Sequence, residues 1–152
     1  MRRVYIILLI GAGVVVFLVI SGLLARAFSV SGAEQSALTS LVQDEARGDA
    51  SAVIASIDGC SANPACRLNA TAVTAKLRHP GHVSVIQIQP SAGFSLGSTL
   101  GTARIAWLAG GSLPRVQCVR VRHAGSVLSG FSVQLLKVSA KIPGGSDCPI
   151  HF

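Results

Sequence analysis

The chain has 152 residues, half of them hydrophobic, and carries a net charge of +7. That length covers one domain beyond an anchor. Basic residues do not alternate with aromatic ones, as base-stacking sites require, which argues against nucleic acid as a partner.

From Val4 to Ala25 there is no charged residue. Twenty-two helical residues at about 1.5 Å each reach roughly 33 Å, enough to cross a hydrocarbon core of about 30 Å. The expectation is therefore a cytoplasmic tip at 1–3, a transmembrane anchor at 4–25, a linker at 26–32 and an extracytoplasmic domain at 33–152. A cleaved signal peptide is the competing reading, because Ala25-Arg26-Ala27 has the small-x-small form of a cleavage site. The apolar run, however, is longer than the roughly 7–15 residues of a signal-peptide core. Arg2, Arg3 and the terminal amine precede the run and only Arg26 follows closely. The positive-inside rule then places the N-terminus in the cytoplasm and the domain outside, on a single-pass anchor in the cell membrane.

The helices come first. Ser31-Gly32-Ala33-Glu34 has the S-x-x-E form of a capping box, so a helix is expected to begin near Gly32. Ala37, Leu38, Leu41 and Val42 give it an apolar stripe, and Gly48 ends it. Asp49 can cap a second short helix with Val53, Ile54 and Ile57 on one face and Gly59 as its stop. Asn63-Pro64 reads as the cap and first position of a third helix, with Leu68, Val73 and Leu77 on its apolar side.

Four cysteines lie in this part: Cys60, Cys66, Cys118 and Cys148. An even count in an exported domain points to two bridges, for which three connectivities exist. Cys60–Cys66 closes a short loop containing Pro64 at little entropic cost, and Cys118–Cys148 follows by elimination. There is no C-x-x-C and no metal-site spacing, so zinc is not expected.

After His79-Pro80-Gly81 the hydrophobic period becomes alternating. Strands are expected at Val83–Gln89, Thr102–Ala109, Arg115–His123 and Val127–Ile142, with a turn at Gly110-Gly111 and a hairpin at Gly125-Ser126. Ala103, Ile105 and Trp107 share one face. The alternation slips by one residue in three strands: from Val85 to Ile86, from Cys118 to Val119, and from Leu135 to Leu136. A one-residue slip is what a β-bulge does; burial on both faces is the other reading. The expected fold is α+β: the anchor, then about three helices packed on a bent four-stranded antiparallel sheet.

Three helices followed by long, bent antiparallel strands resemble the nuclear-transport-factor-two-like cone fold over about Ala33 to Ile142. The resemblance is one of architecture and carries no signature motif. Membrane-anchored members of that group include scaffold subunits of bacterial secretion machines, so it implies a binding or scaffold role. The excess of Arg over Lys, with abundant Ala and Gly, is in keeping with a GC-rich bacterial genome.

Enzymatic readings find little support. Gly93-Phe94-Ser95-Leu96-Gly97 matches the G-x-S-x-G nucleophile elbow, with Asp147 and His151 following, but that motif works only on a strand–turn–helix. Gly97 and Gly101 follow and the chain returns to a strand, so the match reads as chance. No Asp or Glu lies between Gly59 and Ser146, which removes the strand-borne acid that some cone-fold enzymes use as a general base. His123 reads as a surface residue, and His79 with His82 lack a third metal ligand. A type IV pilin-like subunit is set aside for want of a glycine before the apolar run and a glutamate five residues into the mature chain. From Gly59 onward there are nine basic residues and one acid, Asp147, which reads as a solvated face or as a surface for anionic lipid heads or acidic partners.

The expected function is a membrane-tethered extracytoplasmic interaction or scaffold domain. Its expected partners are the lipid bilayer and another envelope protein, with no cofactor and no metal. The alternatives are a small-ligand pocket in the cone, lined by Phe94, Trp107 and Phe131, and a secreted form after signal-peptide cleavage.

Overall fold

The computed structural model describes residues 2–91, 99–126, 130–150 and 152. The element order is α1 (Arg2–Arg47), α2 (Ala50–Ser56), a 3-10 turn (Cys60–Ala62), α3 (Pro64–Leu77), then strands β1 (Val83–Gln89), β2 (Thr99–Ala109), β3 (Arg115–Ser126) and β4 (Gly130–Val138). The protein is α+β, with a four-stranded antiparallel sheet in the order β1-β2-β3-β4.

The first departure from expectation is at the N-terminal end of the domain. Residues 26–32, expected as a linker, lie inside the single unbroken helix α1, and no new helix starts near Gly32. Ser31 and Glu34 have the spacing of a capping box, but the chain before them is already helical, so there are no orphan N–H groups to cap. The large apolar side chains from Leu8 to Leu24 are more than half exposed, and among the described residues no other element covers them. Among the described residues no helix is long and apolar enough to cross a membrane. The stretch from Leu8 to Leu24 alone covers about 25 Å, and the expected span rests on the longer run in the sequence.

The other helices form where their caps put them. The Asp49 carboxylate accepts from the Ala52 amide at 3.0 Å and from the Ser51 hydroxyl, and these two bonds hold its pKa below the ordinary value. Asn63 accepts from the Cys66 amide at 3.2 Å, with Pro64 at the first helical position. In α3 the buried stripe is Ala70, Val73, Thr74 and Leu77. Leu68 was expected on that stripe and is 74% exposed, because two residues before Ala70 is the wrong side of a 3.6-residue turn.

Both expected disulfides are present, Cys60–Cys66 and Cys118–Cys148, with Cα separations of 5.2 and 5.7 Å. The first pins the corner between α2 and α3. Beyond β4 the chain first continues beside β3, where the Ser139 and Ile142 amides donate to the carbonyls of Cys118 and Val116 at 2.9 and 2.8 Å. The second bridge then ties the following segment to the face of the sheet that carries Cys118, opposite the helices. Arg120 donates to the Ile150 carbonyl at 2.7 Å and lies over the Phe152 ring, and Arg104 donates to the Gly144 carbonyl.

Two of the three slips are bulges. The β1–β2 register shifts between Val85 and Gln87, leaving Ile86 extra and 53% exposed. The β3–β4 register shifts so that Arg120 pairs Lys137 and Val121 pairs Leu135, leaving Leu136 extra. Leu135 and Val138 therefore both lie in the core cluster, three positions apart. The third slip is not a bulge. The β2–β3 register is unbroken from Thr99↔His123 to Trp107↔Arg115. Val116, Gln117, Cys118 and Val119 are all buried because helices cover one face and the C-terminal segment the other.

Strand ends differ by a few residues. β2 starts at Thr99 and β4 stops at Val138, with Ile142 reaching Val116 only as an isolated bridge. The expected strand start at Val127 and the turn after Ser126 fall on 127–129, outside the described residues. α2 docks its end on the β4 edge, where the Asp58 amide donates to the Leu135 carbonyl at 2.7 Å. That contact blunts one edge of the sheet.

Candidate functional site

The chemistry-bearing side chains of the core lie along one stripe of α1. Glu34, Leu38, Leu41, Val42, Glu45 and Ala46 are all buried, and their spacing places them on one face of a 3.6-residue helix. The stripe carries a glutamate near each end.

Glu34, 1% exposed, accepts from the Ser91 amide at 2.9 Å and from the Ser91 hydroxyl at 3.3 Å. His123 Nε2 lies 2.8 Å from Glu34 Oε2, and His123 Nδ1 lies 3.4 Å from Thr99 Oγ1. Facing a carboxylate, Nε2 is the ring nitrogen that carries the hydrogen. Ser91 Oγ is 3.4 Å from that same nitrogen. Serine, histidine and acid are thus together, but in the wrong order for a nucleophile. A relay needs the acid on one ring nitrogen and the serine on the other. Here Nε2 has no free lone pair to take the serine proton. The cluster instead joins α1 to the end of β3 and to the segment after β1. Gly101 permits it, because a Cβ there would collide with Ser91.

Glu45 is fully buried and among the described residues has one polar partner, Gln117, whose Nε2 donates at 3.2 Å. Gln117 also takes the Trp107 indole N–H on Oε1 at 2.7 Å and reaches the Ser139 carbonyl at 3.4 Å. Among the described residues Glu45 Oε2 has no hydrogen-bond partner. Burial pushes the Glu45 carboxyl up to about 8; the Gln117 bond opposes this, and the neighbouring Asp44 carboxylate adds to it. The group is neutral at pH 7, which avoids an unpaired buried charge.

Trp107, expected to line a cavity, is instead packed in the core with no exposed surface, its ring under the Arg115 guanidinium at 5.5 Å. Phe94, with the rest of the 93–97 motif, and the Phe131 side chain lie outside the described residues, as does His151. His123, expected at the surface, is 8% exposed. Its partner comes from a helix 89 positions away, so an acid absent from the strands still reaches the sheet. The signal that could have revealed it is a glutamate four residues before Leu38 on an apolar stripe. His79 lies beside the Pro80 carbonyl, and among the described residues no group of three or more His, Cys, Asp or Glu could hold a metal ion.

Comparison with protein families, curated proteins and solved structures gives no match for this chain.

Proposed function

We propose that this chain is a membrane-tethered interaction or scaffold domain held on the non-cytoplasmic side by an uncleaved N-terminal helix. The observation that carries the reading is the uncharged run from Val4 to Ala25 on the same helix as the buried stripe of the domain. Among the described residues its large apolar side chains at Tyr5, Ile6 and from Leu8 to Leu24 are exposed, and a bilayer would cover them. Two disulfides support an oxidising compartment, and Arg2 and Arg3 support a cytoplasmic N-terminus.

A cone-fold scaffold remains our reading of the architecture. It is supported by helices that precede a four-stranded antiparallel sheet and by bulges at Ile86 and Leu136. The packed surroundings of Trp107 and the Glu45–Gln117–Trp107 chain favour a filled interior, and hence an interaction surface, over a ligand pocket.

The test is alkaline extraction of native membranes together with mass analysis of the mature chain. The protein should stay in the pellet with its N-terminal segment intact. Release into the supernatant, or a mature chain starting at Phe28, would replace this reading with a secreted protein.

A further inference from the structure

The face of the sheet opposite the helices carries a pairing that packing does not explain. Cys118 lies on that face, and alternation along β3 puts Arg120 there as well. Arg120 pairs directly with Lys137 of β4, and Arg104 of β2 pairs with Cys118. Like charges directly opposite on one face of an antiparallel pair, with Cβ atoms about 5 Å apart, are destabilising. Arg120 and Arg104 donate to the backbone carbonyls of Ile150 and Gly144. Those neutral acceptors hold the guanidiniums without cancelling their charge. Lys137 is exposed. Among the described residues none of the three forms an ion pair, whereas Arg122 has Asp58 at 3.9 Å. No acid occurs between Gly59 and Ser146, so no part of the sheet or its turns supplies the missing negative charge. Asp147, next to Cys148, is exposed and among the described residues is in no ion pair.

The height of this face decides which anion can reach it. Glu34 meets His123 and Glu45 meets Gln117. The two glutamates are about 16 Å apart along α1, and Gln117 and His123 about 20 Å apart along β3. The lengths nearly match, so β3 runs back along α1 and the basic face looks sideways. Arg120, midway between Gln117 and His123, is level with the middle of the Glu34–Glu45 stretch, about 22 Å beyond Ala25. The headgroup layer of a bilayer is roughly 5–8 Å thick, and physiological salt screens charges beyond about 8 Å. Lipid heads around α1 therefore lie out of reach of Arg120, and a protein does not. The spacing suits an extended chain. Arg104 and Arg120 are diagonal neighbours about 7–8 Å apart, and carboxylates at alternate positions of an extended segment are about 7 Å apart.

We propose that Arg120 and Lys137, with Arg104 beside them, form the docking surface for an extended acidic segment of a partner protein. The inference rests on the anchored interaction-domain reading above and names its contact face.

The test uses the full chain in phosphatidylcholine vesicles and a fluorescent peptide of alternating glutamate and threonine, with binding read as peptide that sediments with the vesicles. The peptide should bind, and its glutamine counterpart should not. The double variant Arg120→Gln, Lys137→Gln should weaken binding at least tenfold. The variant Arg67→Gln, Lys76→Gln removes the same charge from exposed positions of α3 and should weaken it less than twofold. Because the first variant removes an opposed like-charge pair, its denaturation midpoint should equal or exceed the parent's. A lower midpoint would mean that the pair serves the fold, and overturns the inference. Equal weakening in the two variants, or no binding by protein that stays in the vesicles at alkaline pH, overturns it and leaves the anchor standing. A fluorophore on Lys137→Cys that is quenched by headgroup-brominated phosphatidylglycerol in the vesicles assigns the face to lipid and overturns it too. Alkaline release from the vesicles overturns both readings.

Discussion

Glu34 and Glu45 sit on one face of one helix, equally buried, and are accommodated in opposite ways. Glu34 is surrounded by donors: an amide, a hydroxyl and an imidazole from two separate elements. Among the described residues Glu45 has a single amide donor, and its carboxyl is pushed up to about 8, chiefly by burial. Several donors hold the first carboxyl in place, whereas burial makes the second keep its proton. The first solution ties distant segments together. The second fills space at the cost of sensitivity to pH.

Removing the ring of donors' common acceptor should have the largest effect. Glu34→Ala leaves His123 and the Ser91 amide buried without an acceptor and should cost about 3–5 kcal/mol in chemical denaturation. A cost under about 1 kcal/mol would mean that the cluster does not tie α1 to the sheet.

Glu45 should behave differently. Between the ordinary carboxyl value of 4.5 and the folded value of about 8, the native state keeps a proton that the unfolded chain has lost. Stability should therefore fall as pH rises through that window, by up to about 1.4 kcal/mol per pH unit, and level off above it. In Glu45→Gln the slope should vanish, leaving the variant about 2 kcal/mol or more above the parent at pH 8. Denaturation curves at pH 5, 6.5 and 8 would show it; parallel losses in both proteins would assign the slope to another group.

The two bridges give a second contrast. Cys118–Cys148 closes a separation of 30 residues and Cys60–Cys66 one of 6. On the loop-entropy account, replacing both cysteines of a pair by serine should cost about 3–4 kcal/mol for the long loop and about 2 for the short one. Thermal unfolding of the two double variants would rank them, and the reverse order would show that strain or residual structure outweighs loop length.

The smallest effect belongs to Asp49, whose cap on α2 is exposed: Asp49→Ala should lower stability least of these variants in the same denaturation measurement. Equal losses at Asp49 and Glu34 would remove the distinction between a local cap and a tertiary tie.

Local chemistry made much of the fold legible. Asp49 and Asn63-Pro64 act through neighbours two or three residues away, so their caps could be placed from the chain alone. The slips at Ile86 and Leu136 are local too, and both are bulges. The slip at Cys118 has the same appearance in sequence but arises from burial on both faces. The C-terminal segment that covers the outer face is remote from β3, and no periodicity within β3 encodes it. Glu34 was misread for a related reason. Its spacing from Ser31 fits a cap, and only a helix continuing from upstream, with His123 far downstream, turns it inward. The candidate site was therefore largely hidden, since its members come from α1, β2, β3 and the segment after β1.

The central claim is that the apolar segment and the core stripe belong to one unbroken helix. Amide hydrogen exchange of the full chain in a bilayer, read at residues 26–33, tests it most directly. A continuous helix predicts slow exchange there, with protection approaching that of Leu38 to Val42. Exchange at the rate of an unstructured peptide would show a hinged linker, and the fixed placement of the domain would be contradicted.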